Sequence, residues 1–164
     1  MPRSPEGTTV EYLILADSAE VVDGRLDMTG GDWDTLLVQD LARPVRLAFA
    51  CGVHIPWAET EKDHSLALSL DRADGRPLFR LDPHTFRTGR PQALAPGSAL
   101  RLPIAVTWEV RFPEHGRYRL TSVLDSRRDS ARSVEFSVLP AAGAEPVISE
   151  EEENFFDEEM GLVG

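Results

Sequence analysis

Apolar and polar side chains alternate with a period of two over most of this chain, the spacing of strands with one face buried and one face wet. The longest such run is residues 100–112. Leu100, Leu102, Ile104, Val106, Trp108, Val110 and Phe112 share one face, and Arg101, Thr107, Glu109 and Arg111 share the other. Residues 45–55 repeat the pattern with Val45, Leu47, Phe49, Cys51, Val53 and Ile55. Their opposite face holds Ala48, Ala50 and Gly52, small residues that predict close packing on that side as well. Shorter runs put Leu66, Leu68 and Leu70, and then Val134, Phe136 and Val138, on buried faces. The run from Val10 to Asp17 is apolar on both faces in its middle and predicts a strand covered on both sides.

Turn residues punctuate these runs at short intervals. Asp23-Gly24 and Asp74-Gly75 each sit between strand-like segments, and Asp-Gly suits a type I′ turn whose two central residues need positive φ, so each predicts a hairpin. Further breaks fall at Pro56, at Pro83, from Pro91 to Gly97 and from Pro113 to Gly116. Seven or eight strands result, with almost no helical segment before residue 140. Many short strands without intervening helices predict an all-β, antiparallel sandwich over residues 8–139, with a barrel as the second choice. The stretch Pro113-Glu-His-Gly-Arg-Tyr118 resembles the turn and tyrosine corner of immunoglobulin-like domains, in which the phenol bonds back to upstream backbone. Leu120 stands where the disulfide version has its cysteine, so the expected type is the disulfide-free, intracellular one.

Several short strings carry a family resemblance: Leu13-Ile-Leu-Ala-Asp17, Asp23-Gly24-Arg25-Leu26, Gly30-Gly31-Asp-Trp33, Val53-His54-Ile-Pro56-Trp57 with His64-Ser-Leu66, Gly89-Arg90-Pro91, Pro96-Gly97 and Pro113 to Tyr118. Over residues 11–139 the chain resembles a domain-of-unknown-function family of small, uncharacterised bacterial proteins, each a single β-sandwich. The resemblance implies a fold and brings no activity, cofactor or catalytic residue. The C-terminal tail lies outside it.

Composition narrows the classes. With 164 residues and 41% apolar content, the chain can build one domain of ordinary size but not two. Its formal charge of −11 opposes binding to a phosphate backbone, so nucleic acid is not an expected partner. The single cysteine, Cys51, excludes an intramolecular disulfide and a Cys-rich zinc site. The first residues lack the apolar core of a signal peptide and no stretch has the length of a membrane span, which together predict a cytoplasmic protein without membrane association. The acidity is concentrated: residues 1–139 carry 20 acidic and 17 basic side chains, whereas residues 140–164 carry 8 acidic and none basic.

Candidate chemistry is sparse. Cys51 shares a face with Phe49 and Val53, which predicts a buried, inert thiol. His54 and His64 flank one connection and are the ligand candidates among the four histidines, with Glu59, Glu61 or Asp63 close in sequence, although their spacing matches no zinc motif. Gly30-Gly31-Asp32-Trp33-Asp34 pairs carboxylates with a glycine turn, so Asp32, Asp34 and Asp40 are candidate calcium ligands. Arg43 at the twelfth position from Asp32 rules out an EF-hand. The competing structural reading has Gly30-Gly31 turning the chain and Trp33 folding back over the sheet edge. Trp33 and Trp57 would form a stacking surface for a sugar or peptide if they met at one rim. No phosphate-loop, dinucleotide-binding or hydrolase-elbow string occurs, so no enzyme is expected.

The tail is the sharpest feature. Residues 140–148 read as a linker and 149–164 as an acidic-aromatic peptide, disordered or a short helix; residues 1–7 read as a flexible N-terminus. Phe156, Met160 and Val163 follow i, i+4, i+7 spacing, with Phe155 and Leu162 beside them, a pattern that suits docking in a basic or apolar groove of a protein partner. The chain therefore reads as a non-catalytic interaction or scaffold module, with a sugar- or calcium-binding sandwich as the alternative. Edge strands without obvious protection could also pair two copies into a homodimer.

Overall fold

The computed structural model describes residues 7–141, and they form two β-sheets around one core. Among the described residues there are nine strands: β1 (Thr9–Val22), β2 (Arg25–Gly31), β3 (Thr35–Leu37), β4 (Val45–Ile55), β5 (Asp63–Arg72), β6 (Pro77–Arg87), β7 (Leu100–Val110), β8 (Gly116–Leu124) and β9 (Arg132–Leu139). The first sheet has the order β2-β1-β4-β7 and the second β3-β9-β8-β5-β6. Among the described residues the only helical pieces are single 3-10 turns at Trp57–Glu59 and Arg128–Ser130. None of the described helices is long and apolar enough to cross a membrane.

The alternating runs go where their periodicity sends them. Leu47, Phe49, Cys51, Val53 and Ile55 of β4 face Leu66, Leu68 and Leu70 of β5, Leu120 and Leu124 of β8, and Phe136 and Val138 of β9 across the core. β4 lies between β1 and β7, and its small-residue face is also closed: Ala48 and Ala50 are fully buried, and the Tyr12 ring from β1 lies over Gly52. A register shift between Val10 and Tyr12 inserts an extra residue, so Val10 joins Leu13 and Leu15 on the core face despite the odd spacing.

Four expectations change. Tyr12 and Ile14 are only half-buried, so β1 is covered fully on one side alone. The strand count is nine because Thr35–Leu37, too short to alternate, pairs with β9, and that one pairing is parallel. Pro83 does not end β6. It falls at the irregular step between the Leu68–Leu81 and Leu66–His84 pairs, and an edge strand tolerates a residue without an N–H there. Asp23-Gly24 does form the two-residue hairpin with both φ positive, but at Asp74-Gly75 only Gly75 is left-handed. There the Gly75 N–H donates to the Arg72 carbonyl and the Arg72 N–H to the Arg76 carbonyl, which describes a type I turn closed by a glycine bulge.

At the start of β8 the Tyr118 hydroxyl donates to the Glu114 carbonyl at 2.6 Å, the bond its sequence position predicts. The ring itself is buried against Phe112 and Phe136.

Candidate functional site

The two ends of the second sheet carry the chemically notable side chains, and they are built differently. At one end His64 is the second residue of β5, and as a ligand candidate it would need an accessible ring. It is instead 2% exposed, between the Asp125 carboxylate (Nδ1 to Oδ2, 2.8 Å) and the Glu59 carbonyl (Nε2 to O, 2.8 Å). Phe86 stacks on its ring at 5.6 Å. The other Asp125 oxygen accepts the Ser65 N–H at 2.9 Å. Both partners of the imidazole are acceptors, so both ring nitrogens must donate, and the geometry is that of the imidazolium. Burial alone lowers the pKa of His64, but the hydrogen bonds to Asp125 and to the Glu59 carbonyl outweigh it and hold the pKa above the ordinary value. His64 thus ties β5, β8 and the Trp57–Glu59 turn together.

Beside this strut Arg90 lies over the Trp57 ring, its guanidinium carbon 4.1 Å from the centroid. It also donates to the Thr60 hydroxyl and the Trp57 carbonyl. An open cleft of about 520 Å³ adjoins it, lined by residues 88–91 and by Leu100, Arg101 and Leu102. Arg101 is paired with Glu11 on the outer face of the first sheet. His54 is on β4 in that same sheet, partly exposed, its Nδ1 buried without a partner. His54 is thus on the first sheet and His64 on the second, and neither belongs to a group of three His, Cys, Asp or Glu side chains that could hold a metal ion among the described residues.

The opposite end holds Trp33, packed edge-on against Phe136 at 5.7 Å. Phe136 is in register with Tyr118, and Tyr118 with Arg72 at the far end of β5. Eight residues of strand separate His64 from Arg72, about 26 Å. Trp57 and Trp33 are therefore at opposite ends of the molecule and cannot stack one ligand between them, which corrects the shared-rim expectation. Trp33 takes the packing role that the competing reading gave it.

Nor do the calcium candidates gather. Asp32 is in a left-handed turn with its N–H on the Leu15 carbonyl, Asp34 accepts the Thr35 hydroxyl, and Asp40 accepts the Ala42 N–H and faces Arg43. Among the described residues no three His, Cys, Asp or Glu side chains are grouped as a metal ion would require. Cys51 is fully buried, and burial pushes its thiol up to about 12. Of the arginines on the strand faces, Arg117 and Arg119 both engage Glu135, whose carboxyl their hydrogen bonds and charge hold below the usual range, Arg119 foremost.

Sequence reasoning missed Asp125 and Arg90. Asp125 is 61 residues from His64, and only the β5–β8 pairing brings the two together. Arg90 had a weak signal, the Gly89-Arg90-Pro91 string. Phe155, Phe156, Met160, Leu162 and Val163, the expected partner-binding residues, lie outside the described residues.

Among curated proteins no sequence matches. Among solved structures, one of Pseudomonas fluorescens alkylpurine DNA glycosylase AlkC bound to DNA containing an abasic site analog is similar with a TM-score of 0.46 at 10% identity; the match covers 81% of this chain and 30% of that one. The chain thus spans about 30% of that protein's length. Residues 11–137, most of the two-sheet body, match a family described only as a family of unknown function, DUF6941, and this chain belongs to it.

Proposed function

We propose that this protein is a non-catalytic protein–protein interaction module of the cytoplasm, an immunoglobulin-like body that presents its acidic, aromatic C-terminal peptide to a partner with a basic, apolar groove. The partition of charge carries the reading: 8 acidic and no basic residues in 140–164, against a nearly balanced 20 and 17 in the rest. Phe155, Phe156, Met160, Leu162 and Val163 supply apolar anchors within that charge, and a peptide of this kind docks by burying such anchors while its carboxylates meet basic side chains. The non-catalytic part is supported by how the reactive groups are used: Cys51 is sealed in the core and both His64 nitrogens are committed to structural bonds. The immunoglobulin-like type is supported by β4 and β7 in one sheet against β5, β8 and β9 in the other, and by the Tyr118–Glu114 bond.

The test is affinity capture of the full-length protein from lysate of the organism that encodes it, followed by reconstitution with the purified partner. Phe155→Ala with Phe156→Ala should lower that affinity by at least about a hundredfold, the loss of two buried aromatic anchors. An affinity unchanged by both substitutions refutes the proposal.

A further inference from the structure

We propose that two copies of this chain associate edge to edge through β7, antiparallel, with the two-fold axis at Ala105. β7 is the last strand of the first sheet, and among the described residues no strand hydrogen-bonds to its outer side. The other sheet edges are poor templates. β3 has three residues, β2 ends in Gly30-Gly31, and β6 carries Pro77, Pro83 and two register shifts. β7 pairs with β4 over eleven residues without a single shift, so its free side is straight as well. Its inward side chains from Leu100 to Trp108 are only half-buried although they pack on the core, as suits a strand awaiting a neighbour.

The direction of the free main-chain groups follows from Pro103, which sits opposite Gly52 in the β4–β7 ladder. A proline is accommodated within a paired strand when its nitrogen faces away from the neighbour. Main-chain groups of Arg101, Pro103, Ala105, Thr107 and Glu109 therefore point to the open side, because successive residues alternate. Centred on Ala105, a second β7 brings Arg101 opposite Glu109 of the other copy, twice, and Pro103 opposite Thr107. Shifting the register by two residues in either direction loses that charge match, and one of the shifts sets Arg101 against Arg111. The favoured register makes about eight main-chain hydrogen bonds, the missing pair being the two proline donors. On the core side Leu102 meets Trp108 of the second copy, and Ile104 meets Val106. Arg101 already holds Glu11, and its guanidinium has donors left for Glu109 of the second copy. Charged edge residues ordinarily keep strands apart; here their signs are arranged to repel a shifted copy and admit a correctly placed one.

Sedimentation equilibrium of the full-length protein over about 1–200 µM reads the association directly. The wild type should dimerise. Glu109→Arg or Arg101→Glu alone should weaken dimerisation by about ten- to a hundredfold, since each reverses two symmetry-related pairs, and the double swap, made with Glu11→Gln so that no carboxylate faces position 101 within its own chain, should restore it. A wild type monomeric throughout, single reversals without effect, or a double swap that stays monomeric overturns the proposal. A second variant does not depend on charge. Cys51 is buried and unreactive, so Ala105→Cys presents one accessible thiol per copy at the axis, where a short bis-maleimide should link two chains. Failure of that link at a concentration where the wild type dimerises overturns the register.

Discussion

The His64 strut makes a prediction about pH with a definite sign. Two acceptors flank the ring at 2.8 Å each, so the bonded form carries both protons. With its folded pKa above the ordinary value, His64 stabilises the fold fully below about pH 6.5, the unfolded value, and this contribution disappears as pH rises through the raised folded pKa. Loss of the proton leaves a buried ring nitrogen facing an oxygen, so one charge-assisted bond of about 1.5–3 kcal/mol is forfeited. Asp125 is partly exposed (28%), which places the effect toward the lower end, about 2 kcal/mol. For a body of this size that is about 6 °C in melting temperature. Asp125→Asn removes the charge and lets a neutral ring serve, with Nε2–H donating to Glu59 and Nδ1 accepting from the new amide. The melting temperature of the wild type minus that of D125N should therefore shrink by about 6 °C between pH 6 and pH 9. The other three histidines are common to both proteins and cancel in the difference. Differential scanning calorimetry of both proteins across that range is the assay. A difference constant with pH, or one that grows toward alkaline pH, would show that His64 is neutral in the fold and that the strut has been misread.

Two further outcomes follow from packing. Gly52→Ala would set a Cβ 2.3 Å from the Tyr12 ring and should cost about 1–3 kcal/mol in urea unfolding; in a Tyr12→Ala background most of that cost should vanish, a coupling that a backbone effect would not give. Tyr118→Phe keeps the buried ring and removes only the 2.6 Å bond to Glu114, so it should lower stability by about 1 kcal/mol without altering the near-ultraviolet signature of Trp33, which packs on the shared neighbour Phe136.

The alternation of apolar side chains was enough to define the inward faces of β4, β5, β7 and β9, because a strand with one buried side must repeat every two residues, whatever it packs against. Asp23-Gly24 likewise specified its hairpin locally, since both residues carry the positive φ that the turn demands. The buried thiol of Cys51 and the phenol bond of Tyr118 were legible for the same reason: each depends on a neighbour's pattern or on a span of four residues. What the sequence could not determine is anything set by which strands become neighbours. Asp125 finds His64, Trp33 separates from Trp57, and β3 joins β9 in parallel only once the two sheets are assembled, since those contacts span up to about a hundred residues and no local periodicity encodes them. The strand edges belong to the same class: β7 becomes an edge because β4 takes its other side, and its charges acquire meaning as a self-complementary pair only there. Local chemistry chose the elements and their faces; the long-range pairing of main-chain groups chose who meets whom.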